Sequence, residues 1–479
     1  MQSGDPRDRR IEQLEALLQT ALARIAELET ENASLRALLQ QNSTNSSKPP
    51  SSDPPGISRR PPSPPSGRKP GGQPGHKGHK RAMVPTSEVD EVIPVKPSDC
   101  NRCGGHTVSR RGGPEPERLQ QTEIPPIEPR VTEYQLHWGY CADCGCWTCA
   151  SLPEGVPNSA FGVRLTALAS LFSGRYRLTK RLVQDILSNV LGVEISLGSV
   201  PKLEQKISAA LAVPVEEARG FVRGESIVHQ DETGWREALR KAWLWVAVAG
   251  AVTVFVISRS RGAVVCKEML GAAFAGILVT DRWPAYSWVD SFLRQLCWSH
   301  LERDFQGFVD RADAGSHIGR ALLRQSRKMF RLWHRVRDGT LQRRTFERRM
   351  ESIEKQVGQL LRQAAACSAP KTAGMAAEIL KLEPALWTFV RVEGVEPTNN
   401  IAERQIRPAV QWRNGSFGTH SPDGSRFVER ILTVVATLRQ QRRNVLEYLT
   451  AAYDATSAWH DGAVAAAATS GREGSRLRG

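Results

Sequence analysis

From Ile11 the apolar positions recur in heptads. Ile11, Leu18, Ile25, Asn32 and Leu39 fall at one core position and Leu14, Ala21, Leu28 and Leu35 at the other, which predicts a short coiled coil within residues 1–45. A lone Asn in an apolar seam favours a parallel dimer in fixed register, although an amphipathic helix docked on the protein's own body gives the same pattern. The periodicity then stops. Residues 46–95 are rich in Pro and Gly, cannot bury enough apolar surface to fold, and read as an extended linker. Arg68, Lys69, Lys77, Lys80 and Arg81 near its end have no acid among them, so this stretch either tracks phosphates or is a solvated spacer.

Periodicity returns in residues 153–220, which read as helical. A glycine turn at Gly192 separates one helix from a second that starts near Ser196 or Ser199. This is the outline of a helix-turn-helix, with Ser199 and Lys202 as candidate DNA contacts; a plain helical hairpin has the same outline.

From Glu225 the pattern changes to strands. SIVHQDETGW reads as a strand ending in acids. Residues 242–258 carry no charge, but they are shorter than the ~20 residues that span a bilayer and Gly250 interrupts them. They predict two buried strands joined by a turn. A helical stretch from Gly262 and another buried strand, GILVTDRWPAY, follow. Three strands, a helix and a fourth strand is the opening order of an RNase H-like fold, in which the ends of the first and fourth strands are neighbours.

Asp231 and Asp281 occupy those two ends. Adjacent carboxylates repel one another unless cations lie between them. With a third acid such a pair can hold two Mg²⁺, or Mn²⁺ in their stead, roughly 3.5–4 Å apart, the arrangement that phosphodiester transfer requires. A later helix supplies Glu403, with Arg407 one turn further on for a phosphate. Asn400-x-x-Glu403 also fits a helix capping box, and a single strand-end aspartate also fits an ordinary turn. His229 shares a strand face with Asp231. His300, in a Cys297-x2-His300 pair with no second pair nearby, reads as a phosphate or active-site contact, or as a capping or packing residue. Trp235, Trp243, Trp245, Trp283 and Trp288 read as core, with Trp283 or Tyr286 available to stack on a flipped base.

Charge and cysteine content sharpen this picture. Lys and Arg outnumber Asp and Glu by 65 to 50, giving a net charge of +15 and pointing to a polyanionic partner such as duplex DNA. The N-terminus has no apolar core of a signal peptide. Of nine cysteines, six crowd into residues 100–149 as CxxC pairs, a pattern suited to metal in a reducing compartment. Cys100, Cys103, Cys141 and Cys144 predict one structural Zn²⁺ in a module over residues 96–152. Cys146 and Cys149 form a competing pair, and buried free thiols are the plain alternative.

HQDETGW, TDRWPAY, CWSHLERDF and NNIAERQIRP resemble the motifs of the bacterial insertion-sequence-sixty-six transposases, a DDE group. The leucine-rich N-terminus, NSSKPPSSD, GGQPGHKG, the cysteine knuckles and RILTVVATLRQQRRNVLEYL match in the same order. The resemblance implies that Asp231, Asp281 and Glu403 are the catalytic, Mg²⁺-holding triad, beside which His300 and Arg407 stand as the candidate DNA contacts. It implies a multidomain α+β chain: the coiled coil, the linker, the zinc module, the helical DNA-binding region, an RNase H-like catalytic domain in two parts (221–300 and 399–458) around a helical insertion (301–398), and a disordered tail (459–479). The implied partners are transposon ends and target duplex, a second copy or more of the chain, and small accessory transposition proteins, with no membrane, in a cytoplasmic, nucleoid-associated setting. A domesticated DNA-binding protein without catalysis and an RNase H-like structure-specific nuclease are the rival readings.

Overall fold

The computed structural model describes residues 6–43, 45–48, 53, 75, 81–108 and 114–456. Arg68, Lys69, Lys77, Lys80 and the expected tail 459–479 lie outside the described residues. The chain divides into two compact units, Arg60–Glu128 and the remainder.

In the smaller unit, residues 98–107 form a tight turn. Cys100 N–H donates to Gly105 O and Gly104 N–H to Cys100 O, both at 2.8 Å. Gly104 has φ +71°, which a side chain would disfavour. Arg81, the one described residue of the basic cluster, is exposed and donates to Thr122 Oγ1 at 2.6 Å.

The larger unit begins with α1 (Pro6–Leu39), a continuous helix. Leu14, Leu18, Ile25, Leu28 and Leu35 are all exposed, so the apolar seam is not docked on the body of the chain. A short hairpin, β1 (Trp138–Tyr140) with β2 (Trp147–Cys149), precedes four helices: α2 (Val163–Gly174), α3 (Lys180–Asn189), α4 (Ser199–Ala210) and α5 (Ala212–Gly224). Ala169, Val183, Leu187, Ile195, Val200 and Leu203 form the core of the first three. The turn between α3 and α4 contains Gly192 at φ +63°, as its position after the apolar run predicts.

The central sheet follows: β3 (Ile227–Glu237), β4 (Arg240–Ala249), β5 (Val252–Ser258), α6 (Ala263–Leu270), β6 (Ile277–Thr280) and β7 (Arg294–Leu296). The strand order is β5-β4-β3-β6-β7, antiparallel through β5, β4 and β3 and parallel through β3, β6 and β7. The uncharged run is a hairpin turning at Gly250 (φ +51°). No described helix is long and apolar enough to cross a membrane.

Strand alternation sends one set of side chains to each face of the sheet. Trp245, Ala247, Val254 and Leu278 pack with α5 and α6, while Leu244, Val246, Val248 and Phe255 pack with α12 (Asn400–Ser416) and α13 (Pro422–Gln440). An edge strand leaves a row of N–H groups to satisfy. Here α13 satisfies them: Thr437 and Thr433 Oγ1 accept from Thr253 and Phe255 N–H at 3.1 and 2.9 Å, and Glu429 Oε1 accepts from Ile257 N–H. Acceptors four apart on a helix meet donors two apart on a strand because both repeats advance by about 6 Å.

Between β7 and α12 lie α7 (Trp298–Asp310), α8 (Ser316–Arg337), α9 (Arg343–Ala365), α10 (Pro370–Leu380) and the short α11 (Thr388–Arg391). They share their own core of Phe305, Phe308, Met329, Phe346, Leu361 and Phe389. Ser47 N–H, in the segment after α1, donates to Asp310 Oδ2 at the end of α7 at 2.7 Å. A last helical stretch covers residues 445–456.

Candidate active site

Asp231 is not at the end of its strand. β3 continues to Glu237 because β4 pairs with it along that whole length. The ladder that does stop here is the parallel one, whose pairs run from Ile227↔Ile277 to His229↔Val279. Asp231 and Asp281 each stand four residues beyond the first of these pairs, at matching levels. Asp231 lies opposite Val246 and Glu232 opposite Trp245, so Asp231 faces α12 and Glu232 faces α6.

Glu403 comes from the first turn of α12. Burial, then Glu232, Asp281 and Glu403 in turn, pushes the Asp231 carboxyl well above the usual carboxylate range. Burial raises Glu403 as well, against Arg303 and Arg407. Asp231, Asp281 and Glu403 are therefore near enough to repel one another electrostatically, but their carboxylate oxygens do not all come within 4.8 Å of one another. Asp281 Oδ1 accepts from Trp283 N–H at 2.8 Å, which fixes the turn after β6. A set of carboxylate oxygens suits a hard cation such as Mg²⁺.

Asn399 ties the elements of the site together, and sequence reasoning missed it. Its Oδ1 accepts from His229 Nδ1 at 3.2 Å, its Nδ2 donates to Gln230 O at 2.8 Å, and its N–H donates to Cys297 Sγ at 3.2 Å. Asn399 is also the N-cap residue of α12 but makes no side-chain cap bond. Asn400 is already inside the helix, so the capping-box alternative for Glu403 is not what holds this turn. Burial pushes the His229 imidazole down to about 4.

His300, in the first turn of α7, has Nδ1 3.7 Å from Glu403 Oε1, which brings it beside the site. Burial, followed by Arg303, lowers it to about 4. Cys297, His300 and Glu403 form the one group among the described residues whose ligand atoms all lie within 4.8 Å of one another. The Cys297-x2-His300 pair therefore has a carboxylate neighbour, although burial pushes the Cys297 thiol up to about 11.

Three further residues escaped the sequence reading. Glu232 accepts from Arg261 Nε and Nη2 at 3.0 and 2.9 Å and from the Tyr286 hydroxyl. Arg294 is buried behind Asp281, with Nη2 donating to Thr280 Oγ1 at 3.3 Å and to Asp281 O at 3.2 Å. An arginine in so short a strand was the available signal. Arg303 lies within the quoted CWSHLERDF motif and acts electrostatically on both His300 and Glu403.

The stacking role is corrected for Tyr286, whereas Trp283 is half-buried with one ring face covered. Tyr286 is 1% exposed, and the Arg261 guanidinium already lies 3.6 Å from the centroid of the Trp283 ring. Arg407 is exposed one turn beyond Glu403, as expected. Lys202 is exposed on α4, while Ser199 is half-buried with its hydroxyl 2.8 Å from that of Ser196.

The cysteine pairs differ in geometry. Cys141 repeats the turn at Cys100: Cys141 N–H donates to Cys146 O and Gly145 N–H to Cys141 O, both at 2.9 Å, with Gly145 at φ +70°. In each turn, backbone N–H groups lower the first thiol, Arg102 foremost at Cys100 and Cys144 foremost at Cys141. Cys149 instead lies in β2.

Residues 160–426, more than half of the chain, match the family model described as "Transposase IS66 family". The chain belongs to this family. Membership implies a transposase role and DNA as a partner. Residues 3–82 match a second family model, one of unknown function (DUF6444). No curated protein matches the chain.

Proposed function

We propose that the chain is a DDE transposase that cleaves and joins DNA at the ends of a mobile element. The observation that carries this reading is the matching level of Asp231 and Asp281 at the end of the parallel ladder, with Glu403 facing them from α12. The strand order β5-β4-β3-β6-β7 supports an RNase H-like catalytic domain interrupted by the helical insertion. Asp231, Asp281 and Glu403 would hold a Mg²⁺ pair, which when bound activates the attacking oxygen and stabilises the leaving one.

In the first step a water oxygen bonds to the phosphorus at the element's end and the element's 3′ oxygen leaves as a hydroxyl. In the second, that hydroxyl attacks a target phosphorus and the target's own 3′ oxygen leaves. Neither step needs a covalent enzyme intermediate. Arg303 and Arg407 beside Glu403 supply positive charge for the phosphates, and neutral His300 can accept a hydrogen bond or donate one.

Other parts of the reading rest on separate observations. The two matched turns at Cys100/Cys103 and Cys141/Cys144 support their assignment to one structural Zn²⁺. The exposed seam of α1 supports a homodimer or higher oligomer, and exposed Lys202 on α4 supports helix-turn-helix contact with the ends. Arg68, Lys69, Lys77, Lys80 and Arg81 remain proposed phosphate contacts. Small accessory proteins and a nucleoid-associated, cytoplasmic setting follow from the same reading.

The test is strand transfer in vitro, with purified chain, Mg²⁺, labelled duplexes carrying the element's ends, and a target plasmid. Joined products that depend on the end sequence are expected. Cutting of branched DNA without end dependence would replace the reading with a structure-specific nuclease, and binding without cutting would replace it with a domesticated DNA-binding protein.

A further inference from the structure

Every exposed residue of α8 is His, Arg or Lys, and the helix contains no Asp or Glu. Its opposite face is ordinary core: Ile318, Leu322, Met329 and Trp333 are buried. Arg320, Arg324, Arg327, Lys328 and Arg331 recur three or four apart, so they form one stripe. From His317 to Arg335 that stripe runs about 27 Å at 1.5 Å per residue.

Like charges at this spacing destabilise a helix. Elsewhere in the insertion several arginines are neutralised, Arg343 by Glu347, Arg362 by Glu383 and Arg391 by Glu354, although exposed Arg344, Arg348 and Arg349 of α9 have no such pair among the described residues. On α8, Arg324, Lys328 and Arg331 have no hydrogen-bond or ion-pair partner among the described residues, and Arg327 has only the electrostatic influence of Glu302. These same four line a groove that also takes in Glu302 of α7. Glu302 accepts from Ser326 Oγ of α8 at 2.5 Å. On α7 it lies between His300, which is beside Glu403, and Arg303, which acts on it electrostatically. The groove and the catalytic acid are thus joined through one turn of one helix.

We infer that α8 binds the phosphate backbone of duplex DNA and leads it toward the catalytic carboxylates. The inference rests on the transposase reading for the identity of the polyanion. A stripe about 27 Å long matches about eight base pairs at 3.4 Å per step. Duplex is favoured over single strand because the exposed positions of α8 include no Phe, Tyr or Trp on which bases could stack, and the one aromatic of α8 at the groove, Phe330, is half-buried and packed against His334. Charge contacts of this kind read no sequence, so random and element-end duplexes should be held alike.

The experiment compares the full-length chain with two variants, Arg324→Ala/Arg327→Ala/Lys328→Ala/Arg331→Ala and Arg324→Lys/Arg327→Lys/Arg331→Lys. Fluorescence anisotropy with a 30-base-pair random duplex across a salt series gives the slope of log K against log salt. The alanine variant should lower the steepness by up to about 3.6, at about 0.9 per lost phosphate contact. The lysine variant should keep it. Lys328 of the wild-type chain should also be protected from acetylation by saturating duplex, a readout that needs no variant to fold. A full salt slope in a folded alanine variant, or Lys328 modified equally fast with and without duplex, overturns the inference. Wild-type strand transfer run in parallel separates the two readings. Transfer with an unchanged slope removes α8 alone, whereas a reduced slope without any cutting or joining leaves α8 as a DNA surface and removes the catalytic reading.

Discussion

Asp231 and Asp281 stand at the same level of the sheet, each four residues past the paired isoleucines Ile227 and Ile277. The parallel ladder stops at His229↔Val279, just before both acids. Two carboxylates are thereby held together at a gap in the hydrogen-bonding pattern, with Glu403 supplied from another element. Their repulsion is a cost to the fold that a bound cation offsets.

Asp231→Asn, Asp281→Asn and Glu403→Gln should each reduce strand transfer by more than the roughly 10–100-fold that loss of a metal ligand's supporting partner costs. Binding to end duplexes should persist. The metal-free Asp231→Asn chain should melt no lower than wild type, because a buried repulsion is relieved. Transfer of a marked element at wild-type frequency by any of the three would remove that residue from the triad.

Asn399→Ala should lower stability by about 1–3 kcal/mol, the usual cost of leaving buried polar groups unpartnered. His229 Nδ1 and Gln230 O lose their partner together. Because the same residue begins α12, activity should fall while bulk Mg²⁺ cannot restore it. Thermal melts and transfer assays over a Mg²⁺ series measure both effects.

Burial holds the Glu429 carboxyl above the ordinary Glu value of 4.5, against the pull of Ile257 N–H, Arg219 and Arg430. The folded chain keeps this proton to higher pH than the unfolded chain does. The contribution to stability is therefore complete below about 4.5 and is lost as pH rises through the raised value. Glu429→Gln retains an oxygen to accept from Ile257. It should match wild type at pH 4 and melt higher at pH 8, as paired melting curves would reveal.

Metal analysis of the full chain should find one Zn²⁺, lost in Cys100→Ser and Cys141→Ser. The Cys146→Ser/Cys149→Ser chain should keep it, since neither residue begins a turn of the kind that holds Cys100 and Cys141. Loss of the ion in that double variant would reassign the site.

Asn32→Leu should raise the stability of the oligomer while broadening its stoichiometry, because an all-apolar seam admits trimers and slipped pairs. Sedimentation of the full chain before and after the substitution reads this directly. A wild-type chain that sediments as a monomer at high micromolar concentration would refute dimerisation through α1.

Period and punctuation in the sequence were enough for the order of elements: the heptads of α1, the Gly192 and Gly250 turns, and three strands, a helix and a fourth strand. They also led to Asp231, Asp281 and Glu403 as candidates, because each stands at a boundary that local pattern marks. What a strand does beyond such a boundary depends on its neighbours. Pairing with β4 carries β3 past Asp231 to Glu237, and that pairing is long-range, so the acids looked terminal when only one ladder was ending. Tertiary structure alone decided that Asp231 and Glu232, adjacent in sequence, serve opposite faces of the sheet. It also made Asn399, which local pattern did not single out, the residue joining β3, Cys297 and α12, because its amides meet partners about 100 and 170 residues away in sequence. The same holds for Tyr286, a stacking candidate in the sequence that packing buries. Local sequence sets backbone conformation through short-range sterics and hydrophobic period, whereas the partner of a polar side chain is set by whichever distant segment packing brings within about 3 Å.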